Sequence, residues 1–155
     1  MADEIADAAT LDALEGLIDG WLAEQLEENP VVAAVERGEP AERRWYVRVH
    51  GESKDVYTVW FTLQQRSLHY ETYVMPAPEE NQGAFFEHLL RRNRKLHGAA
   101  FCIGEEDALF LAGSLPVHAV DAGEVDRILG SLHAYVELCF LPALRIGFAS
   151  RFPST

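Results

Sequence analysis

Cysteine is almost missing from this chain of 155 residues. Its two cysteines, Cys102 and Cys139, lie far apart and follow neither a metal-ligand spacing nor a redox spacing. Both stand in apolar stretches, which favours buried and reduced thiols. A core must therefore hold the fold together, and a hydrophobic content of 48% in one domain of this length can supply it.

Positive charge is also scarce. The formal net charge is −12, and residues 1–30 contain nine acidic side chains but neither lysine nor arginine. Nucleic acids and anionic membranes attract basic surfaces, so this balance argues against both as partners.

Long apolar runs are missing as well. No segment is long and apolar enough to span a bilayer, and the acidic N-terminus lacks the apolar centre of a signal peptide. We therefore expect a cytoplasmic protein without a membrane partner.

The patterns of metal and cofactor sites are absent too. None of the six histidines forms a pair at helical i, i+4 spacing or an alternating pair within one strand; they are His50, His69, His88, His97, His118 and His133. Glu87-His88 lacks the second histidine of a zinc-protease helix. The sequence predicts no metal and no cofactor.

Catalytic patterns are equally hard to find. The acidic runs at 79–80 and 105–107 fall in exposed connections with no neighbouring base, and no serine stands in a nucleophile elbow. We predict no catalytic residues and no enzyme activity. The basic run 91–95 suits the end of a helix, although an acidic partner or a phosphate would also fit it.

What the sequence does contain is a stretch of three alternating segments, at 45–50, 56–63 and 68–75. Each is rich in β-branched and aromatic residues, as half-buried strands are. The loops 51–55 and 64–67 join them, so the stretch predicts an antiparallel three-strand meander.

These loops also predict the register, and opposed residues share a face of a sheet. Tyr46 should pair with Trp60 and Arg48 with Thr58, while Trp60 pairs with Glu71 and Thr62 with His69. The predicted core face consists of Trp45, Val47, Val49, Tyr57, Val59, Phe61, Leu63, Leu68, Tyr70, Thr72 and Val74. The predicted outer face consists of Tyr46, Arg48, His50, Val56, Thr58, Trp60, Thr62, His69, Glu71, Tyr73 and Met75.

Before the meander, residues 1–9 are expected to be disordered, and Thr10 should cap a helix that runs to Glu28. Gly16 and Gly20 each cost this helix roughly 1 kcal/mol, so we expect a marginally docked, detachable layer. Residues 31–37 fit either a short strand or a further helical turn.

After the meander, Asn81 is the predicted cap of a second helix that contains Phe85 and reaches Leu96. A hairpin of residues 99–103 and 108–112 follows, and then a short extended piece at 117–120. Asp121 should cap the longest helix, which Pro142 should kink or end. The order α-βββ-α-ββ-α predicts an α+β fold with one twisted antiparallel sheet of about five strands and covering helices.

Several of these segments resemble the YbjN domain family of bacteria in its actinobacterial form. They are Trp45-Tyr46-Val47-Arg48, residues 58–63, residues 70–81, Leu89-Leu90-Arg91-Arg92-Asn93, residues 126–132 and residues 142–148. The resemblance covers about residues 40–150, which makes 10–155 a single YbjN-like domain. It implies a fold similar to that of type III secretion chaperones, which are small acidic cytoplasmic proteins, usually homodimers, that hold extended partner peptides. The family is also labelled as regulators of sensory transduction, with no established catalytic residues.

The outer face of the meander is the main candidate for function. Aromatic side chains and arginine are typical of binding hot spots, so we predict a partner-binding surface made by Tyr46, Arg48, Trp60, His69, Glu71 and Tyr73. The competing interpretation is cross-strand pairing under a covering helix or at a dimer contact. The leading functional hypothesis is a non-enzymatic, chaperone-like or regulatory homodimer that holds a protein segment. The alternative is a sensor or enzyme with a pocket between the sheet and the C-terminal helix.

Overall fold

The computed structural model describes residues 5–152 and contains three α-helices and six β-strands. In chain order these are α1 (Ala8–Glu28), β1 (Val32–Arg37), β2 (Arg44–His50), β3 (Val56–Leu63), β4 (Ser67–Met75), α2 (Gln82–Asn93), β5 (Ala100–Ile103), β6 (Leu109–Pro116) and α3 (Ala122–Gly147). Short 3₁₀ turns span Glu105–Asp107, Val117–Ala119 and Ala149–Arg151.

All six strands form one antiparallel sheet in the order β1-β2-β3-β4-β6-β5. The α+β class is confirmed, but the sheet has six strands rather than about five. The additional strand is β1, whose assignment the sequence left open. It pairs with β2, and the pairing is irregular between Val32 and Ala34.

The predicted register of the meander is confirmed. Tyr46 lies opposite Trp60, and Trp60 lies opposite Glu71, while the pairs Arg48–Thr58 and Thr62–His69 also form. Every residue of the predicted core face is buried. The buried Thr72 hydroxyl donates a hydrogen bond of 2.8 Å to the carbonyl of Thr58, which satisfies its polar group.

Met75 is the exception on the outer face, because it is buried instead of exposed. The pairing of β4 with β6 shifts between Tyr73 and Met75, which breaks the alternation of side chains at this end of β4. The Lys54 ammonium contacts the bend, donating to the carbonyls of Tyr73 and Val74 at 2.7 and 2.9 Å.

Helix α3 packs along the core face of the sheet. Asp121 caps it as predicted, since its carboxylate accepts a hydrogen bond from the Glu124 amide at 2.8 Å. The helix continues past Pro142 to Gly147, so it does not end at the proline. A proline leaves the carbonyl four residues earlier without its helical partner. Here that residue is Leu138, which is exposed, and water can therefore solvate its carbonyl.

Helix α1 is docked onto the main core, which speaks against marginal docking, while its predicted detachability is a matter for the truncation described below. Leu14, Ile18 and Leu22 are buried in the same cluster as the core face of the sheet. Asp19 also accepts a hydrogen bond of 2.7 Å from the Trp45 indole. The glycines Gly16 and Gly20 lie on the open side of the helix, where an added Cβ would meet no atom within 4 Å. Their local cost is outweighed by the buried face of the helix.

Five local predictions at the element ends need correction. Asp7, not Thr10, caps α1, and Ala8 and Ala9 already belong to the helix. The start of the expected disordered segment, residues 1–4, lies outside the described residues.

The other corrections concern the second half of the chain. Asn81 adopts a left-handed conformation, and its side-chain amide donates to the Ile146 carbonyl instead of accepting from α2. Leu96 lies beyond the end of α2. Val117–Ala119 forms a 3₁₀ turn rather than an extended piece.

Candidate functional site on the outer face of the sheet

The outer face of the sheet is the surface that points away from the helices. All six residues of the predicted binding surface lie on it. Tyr46, Trp60, His69 and Glu71 are half-buried, whereas Arg48 and Tyr73 are exposed. Because these side chains still reach solvent, no helix within residues 5–152 covers the face. The interpretation that a covering helix explains them is wrong, while a dimer contact stays untested.

A row of four aromatic rings crosses this face. The rings of Tyr46 and Trp60 meet edge to face with centroids 6.3 Å apart. Trp60 is 6.3 Å from Phe110, and Phe110 meets Tyr73 edge to face at 5.7 Å. Such tilted and edge-to-face pairs are the arrangements that aromatic quadrupoles favour. We call Tyr46, Trp60, Phe110 and Tyr73 the aromatic row.

Phe110 is the member of the row that was not predicted from the sequence. Side chains alternate along β6, so Phe110 lies on the face opposite to Leu109 and Leu111. Assigning the residues of this strand to the two faces from the sequence could have identified Phe110 as a member of the outer face. Its ring is buried because Tyr73, Trp60 and the backbone of Gly104 surround it. A Cβ at Gly104 would clash with the ring, so the glycine permits this close approach.

Charged groups flank the aromatic row. His69 Nε2 lies 3.6 Å from a carboxylate oxygen of Glu71, two residues along the same strand. Arg48 is exposed, and no carboxylate among the described residues forms an ion pair with it. It lies opposite Thr58, and therefore one step diagonally from Trp60. The face thus offers a free guanidinium beside a tryptophan.

Two further groups on this face stay uncharged near neutral pH. Burial, and then the Glu106 carboxylate, raise the pKa of the Tyr73 hydroxyl above its ordinary value. Burial, and then Glu71, raise the pKa of the Cys102 thiol. Cys102 lies opposite Phe110 in the sheet and is exposed, so the prediction of a buried cysteine is wrong for Cys102 and confirmed for Cys139 alone. Both side chains can donate a hydrogen bond, but neither is an activated nucleophile.

The sequence left open a pocket between the sheet and α3, but in the structure this interface is filled by side chains. Val125, Ile128, Leu129, Leu132 and Val136 of α3 are buried in the same core as β2, β3 and β4. These side chains occupy the space in which a ligand would lie.

The basic run forms a concave surface at the end of α2. His88, Arg91, Arg92, Arg94 and Lys95 line about 460 Å³. Burial, and then the Arg92 guanidinium, lower the pKa of His88, so its imidazole is neutral at pH 7. Arg91 and Arg92 lie in the last turn, where the negative end of the helix dipole favours cations.

Metal-ligating side chains do not converge in the part of the chain that the structure describes. No group of three or more His, Cys, Asp and Glu side chains there could hold a metal ion. Among the same residues, no helix combines the length and the hydrophobicity needed to cross a membrane.

Comparison with known proteins shows which family this chain belongs to. Residues 17–141 match YbjN, which is described as "Putative bacterial sensory transduction regulator". The chain is 36% identical over 104 residues to "Uncharacterized protein Rv0487" of Mycobacterium tuberculosis, a match that covers 67% of this chain and 57% of the relative. It is 31% identical over 107 residues to "Uncharacterized protein ML2442" of Mycobacterium leprae, covering 69% of this chain and 58% of the relative.

The matched region therefore spans less than two thirds of the length of these mycobacterial relatives. The family match itself includes the meander, α2, both strands of the second hairpin and most of α3. These are the elements that build the aromatic row and the core beneath it. The chain belongs to the YbjN family, in its actinobacterial form.

Proposed function

We propose that this protein is a non-enzymatic binding module that holds a segment of a partner protein on the outer face of its sheet. The observation that carries the proposal is the aromatic row, four rings of which each contacts the next, on a sheet face that no described helix covers. Uncovered aromatic surface next to an arginine is typical of protein interaction sites.

The rigidity of the face favours an extended segment as the ligand. Each ring stands on a strand of the central sheet, and the two cross-strand contacts of Trp60 restrict its rotation. A side chain that is ordered before binding loses little conformational entropy on binding. An extended peptide can place successive side chains along such a row.

The charged residues beside the aromatic row indicate which side chains the partner segment should carry. Arg48 lies diagonal to Trp60 and is free to pair with a carboxylate. We therefore propose a segment with apolar or aromatic side chains for the row and an acidic residue for Arg48. His69 and Glu71 lie on the opposite flank, where they offer a donor and an acceptor.

This activity agrees with a regulatory role of the kind that the family description names. A module that acts by binding needs neither catalytic residues nor a cofactor, and we propose that it acts in the cytoplasm. The alternative of a ligand sensor would need an enclosed cavity with convergent polar groups. The packed interface between the sheet and α3 gives that alternative little support.

Affinity capture from the native cell extract, followed by mass spectrometry, would identify the partner. The same capture with Trp60→Ala and Arg48→Glu separates binding through the outer face from binding elsewhere. Leu17→Ala serves as the matched control, since Leu17 is exposed on α1, on the other side of the molecule.

The identified partner should then be purified and titrated. We expect Trp60→Ala to weaken its binding by about 2 kcal/mol or more, as truncation of a central aromatic residue does. Leu17→Ala should leave the affinity unchanged. Equal affinity for the wild type and Trp60→Ala would show that the partner binds another surface.

A further inference from the structure

Positive charge, which is scarce in this chain, is concentrated at the end of α2. Four of the 13 lysine and arginine residues lie within five positions there, and His88 joins them around the concave surface of about 460 Å³. We call His88, Arg91, Arg92, Arg94 and Lys95 the basic cluster. Because α2 packs against α3 and β5, the cluster lies on the helix side of the sheet, away from the proposed binding face.

Helix geometry brings most of the basic cluster to one side. Positions 88, 91, 92 and 95 are spaced by three and four residues, so they follow one face of a helix. α2 ends at Asn93, but the backbone continues to turn, since the Lys95 amide donates to the Arg92 carbonyl at 2.9 Å. Several hydrogen-bond donors therefore line the same concave surface.

The protein itself does not neutralise this charge. Among residues 5–152, the basic cluster forms a single ion pair, in which 3.6 Å separates a nitrogen of Arg91 from an oxygen of Glu87, and both side chains are well exposed. Arg92, Arg94 and Lys95 form no ion pair with a carboxylate in this range. Three neighbouring cations thus stay unpaired in a chain that has 25 acidic residues.

The helix dipole does not account for a cluster of this size. The C-terminal end of a helix carries about half a negative charge, which one cation offsets. The basic cluster holds four cations, and like charges this close together repel one another. The last turn of α3 shows the ordinary case, because it contains one basic residue, Arg145. The excess positive charge at the end of α2 is the charge that a bound anion would neutralise.

His88 supports an anion site independently of the charge. Its Nε2 is buried and has no hydrogen-bond partner among the described residues. A buried polar atom without a partner is unfavourable, and a ligand oxygen that reached the ring would supply one. The imidazole is neutral at pH 7, and in the tautomer protonated at Nε2 it can donate one hydrogen bond.

We propose that the basic cluster binds a compact anion that carries a diphosphate group. The guanidinium groups of Arg92 and Arg94 donate to its oxygens, since the planar arginine fork matches phosphate geometry, and Lys95 adds a third positive charge. Each phosphate carries about one and a half to two negative charges at pH 7, so two phosphates suit three unpaired cations better than one does. A long polyanion is disfavoured, because a chain with a net charge of −12 repels whatever extends beyond the cluster.

Isothermal titration calorimetry of the full chain with sodium pyrophosphate, at pH 7 and low ionic strength, tests the proposal. We expect saturable binding at one site that weakens as salt is added. Arg94→Gln should raise the dissociation constant roughly tenfold, and adding Lys95→Gln should raise it further; both side chains are exposed, so the fold should persist in circular dichroism. Arg145→Gln is the matched control and should bind like the wild type. Absence of saturable binding, or an equal loss in Arg145→Gln, would overturn the proposal.

A charge change of opposite sign and a set of related anions sharpen the test. Glu87→Gln removes the carboxylate that competes for Arg91, so it should tighten pyrophosphate binding about two- to threefold. Inorganic phosphate should bind at least roughly tenfold more weakly than pyrophosphate. ADP distinguishes the two sources of a diphosphate, because binding tighter than that of pyrophosphate indicates a nucleotide and equal binding indicates the diphosphate alone. If a single-stranded oligonucleotide or a glutamate-rich peptide binds more tightly than pyrophosphate, the ligand is not a compact diphosphate.

Discussion

The proposed binding face makes a sharp prediction about two neighbouring residues of β3. Trp60 points to the outer face and Phe61 to the core, so truncating each should have different consequences for the free energy of unfolding. Phe61 is completely buried, and it packs against Tyr70 with ring centroids 6.4 Å apart. Phe61→Ala should therefore destabilise the protein by roughly 3–5 kcal/mol, the range for a buried phenylalanine that leaves a cavity.

Trp60→Ala removes two ring contacts, to Tyr46 and Phe110, from a side chain that is only half-buried. Aromatic pairs contribute roughly 0.5–1.5 kcal/mol each. Solvent can fill the space that the indole leaves, so no closed cavity adds to this loss. We expect a destabilisation of about 1–3 kcal/mol, which is smaller than that for Phe61→Ala by about 2 kcal/mol.

Urea unfolding followed by circular dichroism measures both values under the same conditions. Trp60→Phe is a suitable control, because it keeps a ring in the row and should lie between the wild type and Trp60→Ala. If Trp60→Ala and Phe61→Ala destabilise the protein equally, the outer face is a second core layer. The binding proposal would then have to be abandoned.

Three further predictions concern Asn93, Lys54 and α1. Asn93→Ala should lower the free energy of unfolding by about 1–3 kcal/mol, because two backbone groups of Phe101 lose their hydrogen-bond partners. It should also speed hydrogen exchange at the Phe101 amide. Asn93→Asp keeps the acceptor and should leave that exchange slower than in Asn93→Ala. Burial lowers the pKa of Lys54 to about 8 from an ordinary value of 10.5. Between these two pH values the folded protein binds fewer protons than the unfolded protein, so the free energy of unfolding should rise with pH there. Urea unfolding should show this rise in the wild type relative to Lys54→Met, and parallel pH profiles would contradict it. Deleting residues 1–28 should abolish cooperative thermal unfolding, since it uncovers Trp45 and removes part of the core. A truncated chain that melts cooperatively would show that the core does not need α1.

The register of the meander was predictable because it depends on local information. Two short loops determine which residues face each other, and a slip by one residue would turn every core side chain outward. The pairs Tyr46–Trp60 and Trp60–Glu71 follow directly from those loops. The position of Met75 was not predictable in this way. It depends on a shift in the pairing with β6, a strand that is distant in sequence.

The role of α1 could not be derived from helix propensity. The two glycines lower the local stability of this helix, and propensity alone therefore predicts weak docking. The structure shows contacts with distant parts of the chain that offset this low propensity. They are the burial of Ile18 and Leu22 in the core and the hydrogen bond from the Trp45 indole to Asp19. Tertiary burial outweighs propensity here, as it commonly does.

The hairpin of β5 and β6 presents different side chains to the two sides of the sheet. In β6, Phe110 completes the aromatic row, while its neighbour Leu109 lines an apolar groove beside α2. The acidic turn between β5 and β6 borders the outer face, since Glu106 raises the pKa of Tyr73 there.

This hairpin decides which variants are informative. A substitution at Phe110 would disturb its buried neighbours Leu109 and Leu111 through the same strand, and its effect on binding could not be assigned to the outer face alone. Trp60 stands on β3, outside the hairpin, so its substitution reports on the outer face alone.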